Sequence, residues 1–204
     1  RDPEMSRGLG DVYKRQHKKW LFFKLNDYSL NYKNMETKTV KLYSLDYSNV
    51  KTYLIAALFI AGNMALPQLF HLIPQGGITW LPIYFFTLIG AYKFGWKVGL
   101  LTAVLSPIAN SLLFGMPLPA VLPAILLKSV LLAIAAGWAA HRFNRISLPI
   151  LLAVVLFYQI AGTLVEWAMV GSFFQAVQDF RIGLPGMAMQ IVGGYVLIRY
   201  SASL

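Results

Sequence analysis

The chain contains no cysteine, so disulfides, thiolate metal sites and cysteine nucleophiles are excluded from the outset. Charge is scarce too. Asp, Glu, Lys and Arg make up 13% of the 204 residues, while 57% are apolar. A soluble domain of this size needs more charge to cover its surface. Acidic residues are scarcest, 8 against 18 basic ones. Beyond residue 34 the carboxylates are Glu36, Asp46, Glu166 and Asp179, too scattered for hydrolysis or phosphoryl transfer. The three histidines, His17, His71 and His141, fall in different parts of the chain and cannot share one metal. There is no serine-centred nucleophile motif. Gly90-Ala-Tyr-Lys-Phe-Gly95-Trp96-Lys97 fails as a phosphate-binding loop, because Trp96 stands where lysine must follow the glycine directly. The sequence thus reads as a non-enzyme, with no catalytic residue, metal or cofactor.

What it has in abundance is apolar sequence, with a mean hydropathy of +0.58. Six stretches stand out: Tyr53–Ile73, Ile78–Phe94, Val98–Phe114, Val121–Ala140, Ser147–Val170 and Gly183–Ile198. About 20 helical residues span about 30 Å of hydrocarbon, so an all-α integral membrane protein with six transmembrane helices is expected over residues 51–200. Basic residues fall in every second gap. Lys38, Lys41 and Lys51 precede the first stretch, Lys93 and Lys97 flank the second gap, Arg142 and Arg145 follow the fourth stretch, and Arg199 closes the sixth. Pro74-Gln75-Gly76-Gly77 and Gly115-Met116-Pro117 are bare, and Asp179 offsets Arg181 after the fifth stretch. Basic loops resist translocation, which places both termini in the cytoplasm and the bare gaps outside. The net charge of +10 is explained by those loops rather than by nucleic-acid binding. Pro67, Pro82, Pro107 and Pro123 lie inside apolar stretches, where kinks or broken turns are expected. Trp80, Trp96, Trp138 and Trp167 fall near span ends, the usual place for an interfacial indole.

Residues 1–16 look like translated sequencing adapter, and residues 17–34 show no helical or strand period. Residues 1–34 are therefore expected to be a non-native or disordered leader. Residues 35–50, beginning at Met35, read as a cytoplasmic N-terminal segment.

Two features carry functional information. Ala57, Ala61 and Ala65 repeat at i, i+4 and i+8 and make one smooth stripe, against which a second helix can pack closely. Polar residues also fall within the apolar stretches. At about 1.5 Å per residue, Asn110 and Glu166 lie about 6 Å inside the outer ends of their helices, and Lys128 and Gln190 about 10 Å inside theirs. Gln159, Thr163 and Glu166 follow i, i+4, i+7 and share a face. Intramembrane charges normally face a cavity or one another. The polar layer is therefore either a solute pocket or a Lys128–Glu166 pair that only joins helices.

Six short helices, both ends inside, the Ala-x-x-x-Ala stripe and polar residues beneath the outer loops resemble the S component of an energy-coupling factor transporter. Pro74-Gln-Gly-Gly-Ile-Thr-Trp-Leu-Pro82 with Gly90-Ala-Tyr-Lys-Phe-Gly-Trp-Lys-Val-Gly99 is similar to that family's first outer loop and second-helix end, and Gly183-Leu-Pro-Gly-Met-Ala-Met-Gln190-Ile-Val-Gly-Gly194 to its last helix. The resemblance covers residues 50–200. It implies high-affinity binding of a vitamin or similar micronutrient in a bacterial cytoplasmic membrane, with a transmembrane T component and two ATPases driving release. It further implies that Ala57, Ala61 and Ala65 face the T component, and that Asn110, Lys128, Gln159, Glu166, Trp167, Gln175 and Gln190 contact the substrate. Lys128 suggests a small solute with an anionic or strongly polar group. A polytopic scaffold of the cell-wall elongation machinery and an ion-coupled solo carrier are the alternatives.

Overall fold

A computed structural model describes residues 42–201, together with His17, Lys19, Trp20 and Lys24. The chain divides into two units, Arg1–Thr39 and Val40–Leu204. In the first, the four described residues are helical, although no helical period is visible there. Trp20 and Lys24 stand one turn apart, with the ammonium 4.3 Å from the indole centroid. The rest of the expected leader and residues 35–41 lie outside the described residues.

The second unit is helical throughout its described elements: α1 Val50–Phe70, α2 Gly76–Trp80, a 3-10 turn Pro82–Tyr84, α3 Phe85–Phe94, α4 Trp96–Phe114, α5 Leu122–Phe143, α6 Leu148–Val170, α7 Phe173–Ala176, α8 Gln178–Ile182 and α9 Leu184–Tyr200. Helices α5, α6 and α9 carry proline in their first turn, where the missing N–H would have had no intrahelical partner. Four helices, α1, α4, α5 and α6, are long and apolar enough to cross a membrane. A fifth joins them if Phe173–Ile182 and α9, bent by 48°, count as one span.

The expected second span is not one helix. Leu81 adopts a left-handed conformation (φ 46°) between α2 and the 3-10 turn. The residue before a proline is disfavoured in the right-handed helical region, and Pro82 cannot donate to the preceding turn, so the helix stops and restarts. The ten residues of α3 rise only about 15 Å. Nor do they face lipid: α3 packs against α1, α4, α5 and α9, and Leu88, Ala91 and Tyr92 are fully buried. Close approach at the break comes from Gly186, whose position lies so near the Trp80 carbonyl that a Cβ would sit 2.4 Å from it.

The exterior and interior are sorted as a membrane requires and water would not. Leu54, Leu58, Leu112, Leu113, Trp138 and Phe157 are exposed, while Thr52, Asn63, Thr87, Thr102, Ser106, Ser129, Gln159 and Gln190 are buried. This is the build of a multi-pass membrane protein. Buried Asn63 joins three helices. Its Nδ2 donates to Thr87 Oγ1 at 3.0 Å and Ser106 Oγ at 3.1 Å, and its Oδ1 accepts from the Phe86 backbone N–H at 3.1 Å. That N–H is one of the first-turn donors of α3 with no intrahelical acceptor.

At one end of the bundle the basic segments meet. Tyr43 N donates to Lys93 O at 2.7 Å, Tyr92 Oη to Arg145 O at 2.7 Å, and Lys93 Nζ to Ser201 O. Lys97 pairs with Asp46 at 2.6 Å.

Candidate functional site

A cavity of about 310 Å³ opens among the ends of α1, α4, α5 and α6, beneath α2 and α8. Its walls draw on all three segments between the bare helix ends: His71 and Gly77, Met116 to Val121, and Gln175 to Asp179. Most of the surface is apolar, from Pro67, Ile78, Leu81, Leu118, Ala124 and Ile125.

Its polar floor is built around Lys128 on α5, 1% exposed. The ammonium lies 2.5 Å from Glu166 Oε2 on α6 and donates to Asp179 Oδ2 on α8 at 2.6 Å. An uncompensated ammonium at this depth would be expensive; two carboxylates more than answer it. Gly162, one turn before Glu166, makes the reach possible. A Cβ there would come 2.4 Å from Lys128 Cγ and 3.3 Å from its Cε. The aliphatic stem therefore runs over bare backbone and delivers Nζ to the next turn of α6.

Asn110 supplies the second polar element. Its Nδ2 donates to two backbone carbonyls, Asn63 O at 2.9 Å and Ser106 O at 3.0 Å. Two acceptors on one side fix the amide's orientation. Its Oδ1 is buried, and makes no hydrogen bond among the described residues.

The residues expected to form one binding layer separate into two groups. Asn110, Lys128, Glu166 and Gln175 line the cavity, Gln175 at its exposed rim. Gln159, Gln190 and Trp167 do not. Trp167 is 45% exposed and lies edge-on to Phe173, with centroids 5.3 Å apart. It follows Glu166 directly, and consecutive helical residues point about 100° apart, so the two cannot share a direction. Gln159 is fully buried, with neither amide atom hydrogen-bonded, and Gln190 is buried and accepts from Tyr158 Oη at 2.9 Å. Both belong to the packed interior rather than to the cavity wall.

Asp179, Tyr84, His71 and Gln178 line the cavity without having been counted among the expected binding residues. Asp179 and Arg181 cancel in the net charge of their segment, as expected, but they do not pair. Residues at i and i+2 of a helix do not face each other. The Arg181 guanidinium lies over the Phe174 ring instead, 4.7 Å from its centroid, and Asp179 is left to Lys128. The alanine stripe is exposed at Ala57, Ala61 and Ala65, and it adjoins exposed Leu54, Leu58 and Leu69 on α1.

Among the described residues no cluster of three or more His, Asp or Glu side chains has metal-binding geometry. Comparison of the chain with models of protein families, with curated proteins and with solved structures finds no match.

Proposed function

We propose that this chain is the substrate-binding membrane subunit, or S component, of an energy-coupling factor transporter in a bacterial cytoplasmic membrane. It takes up a vitamin or similar micronutrient together with a T component and two ATPases. In this reading the α2–α3 unit and α9 complete six crossings, with both termini cytoplasmic. The observation that carries the proposal is the cavity. It combines a mostly apolar wall, at the small end of the usual ligand-pocket range, with a few fixed polar groups, at the end of the bundle where the loops carry no net basic charge. The grouping of Lys93, Lys97 and Arg145 at the other end supports the orientation. The exposed stripe of Ala57, Ala61 and Ala65 offers the T component a surface on which a helix can approach closely.

The test is ligand identification. The protein is extracted gently from its membrane and bound small molecules are identified by mass spectrometry. Co-expression with an energy-coupling module then asks whether uptake of that molecule requires ATP. A ligand-free protein with no thermal shift across a vitamin panel would favour the scaffold reading instead. The Lys128–Glu166–Asp179 cluster also suits an ion-coupled solo carrier. Uptake into ATP-free proteoliposomes that collapses with the ion gradient would establish that reading and remove the first.

A further inference from the structure

The charges facing the cavity do not balance. Lys128 contributes one positive charge and Glu166 and Asp179 two negative ones, with His71 in the wall counted as neutral. Lys128 is 1% exposed, while the Glu166 and Asp179 side chains are 16% and 25% exposed. The ammonium thus lies behind the carboxylates, already engaged by both. Arg181, the nearest cation in sequence, is exposed, rests on Phe174 and does not line the cavity. An incoming anion would have to displace two carboxylates from Lys128 while facing their combined charge. A cation meets a net formal charge of −1 and the carboxylate oxygens that Lys128 does not hold.

Asn110 points independently in the same direction. Its amide N–H groups are taken by two carbonyls, so what it has left to offer is the acceptor Oδ1. The buried amide of this floor therefore adds an acceptor rather than a donor. The apolar walls and the volume of about 310 Å³ suit a compact organic body rather than a bare metal ion.

We propose that the cavity selects a small organic cation, a protonated amine or amidinium-type group on a compact apolar or heteroaromatic body, over anions of the same shape. This rests on the reading of the cavity as the substrate site and names the substrate class. It reverses the anionic preference that Lys128 alone suggests.

The test uses the full chain in lipid nanodiscs with three probes of one shape: 2-phenylethylammonium, 2-phenylethanol and phenylacetate. Affinities are read by calorimetry and by the shift of the unfolding midpoint. The ammonium probe is expected to bind about tenfold or more tightly than the alcohol, with phenylacetate weakest. Asp179→Asn neutralises the floor and should bring ammonium and alcohol to within about threefold. Val121→Trp, which places bulk at the exposed rim, should weaken all three probes and so locate them in the cavity. Tighter binding of phenylacetate that Val121→Trp also abolishes would overturn the charge selection and leave the cavity reading intact. An ammonium preference unchanged in Asp179→Asn would overturn it as well, as would stabilisation by Na⁺ alone to which no probe adds. If no probe binds and no small molecule is carried through purification, the cavity reading falls, and the charge selection with it.

Discussion

Gly162 lies directly beneath Lys128, so close that the smallest possible side chain at 162 would meet Lys128 Cγ at 2.4 Å. The missing side chain on α6 is what lets the lysine of α5 lie flat and reach Glu166 one turn further on. The positions of the ammonium and of Asp179, which closes over it from α8, depend on that contact.

Gly162→Ala should therefore destabilise the protein despite the better helix propensity of alanine. Propensity offers at most about 1 kcal/mol, whereas overpacking against the root of a buried side chain costs about 1–3 kcal/mol. Thermal unfolding of the purified variant should show a lower midpoint, and Gly162→Leu a larger drop. A midpoint equal to wild type in both would mean that α6 yields freely, and that Gly162 has no part in positioning Lys128.

Asn63 provides a second point of failure, away from the cavity floor. Asn63→Ala leaves the Phe86 N–H without an acceptor in a dry interior and takes the amide donor away from the hydroxyl oxygens of Thr87 and Ser106. Leaving one such group unsatisfied costs about 1–3 kcal/mol. A total loss of about 2 kcal/mol is expected, most of it from the Phe86 N–H, since Ser106 keeps its own bond to Thr102 O. A loss below about 0.5 kcal/mol, the usual scale of a surface substitution, would show that packing alone holds α1, α3 and α4 together.

The sequence makes the class of protein legible because insertion depends on composition: apolar runs of sufficient length and the placement of Lys and Arg are local properties. The broken second span was only half visible. Pro82 announces a disturbance, but nothing local says that α3 will be short and enclosed, since that depends on four neighbours arriving from elsewhere in the chain. At the site, depth along a helix was readable and direction around it was not. Counting residues from the helix ends found Asn110, Lys128 and Glu166. The same counting admitted Gln190, and the shared helical face admitted Gln159, both locked in the interior, while the family resemblance brought in Trp167, which points elsewhere. Asp179 was legible only as a charge in the segment after a span, because the five-residue α8 has no period from which a direction could be read.

The alanine stripe yields a prediction that does not involve the cavity. Ala57, Ala61 and Ala65 are exposed on α1, so Ala61→Trp should leave folding and ligand affinity nearly unchanged. If the stripe receives a helix of the T component, bulk there holds the partner away and forfeits close van der Waals contact. Co-purification of the assembled module should fall sharply while the isolated subunit keeps its unfolding midpoint. Full assembly of the variant would assign the T component to another face.

Removing the buried ammonium separates the energetic role of the cluster from its role in recognition. Lys128→Met leaves Glu166 and Asp179 facing each other at the floor with no counter-charge. Breaking a buried ion pair from one side costs about 3–5 kcal/mol, and the partial exposure of both carboxylates argues for the lower figure. The triple change Lys128→Met, Glu166→Gln, Asp179→Asn removes all three charges and should recover most of that loss, since neutral replacement of a complete buried cluster is often near-neutral. Unfolding midpoints of wild type, single and triple variants measure this directly. A Lys128→Met protein as stable as wild type would show that the carboxylates neutralise themselves without it. A stable triple variant that still discriminates between charged and neutral probes would show that these three residues hold the helices together and take no part in choosing the ligand.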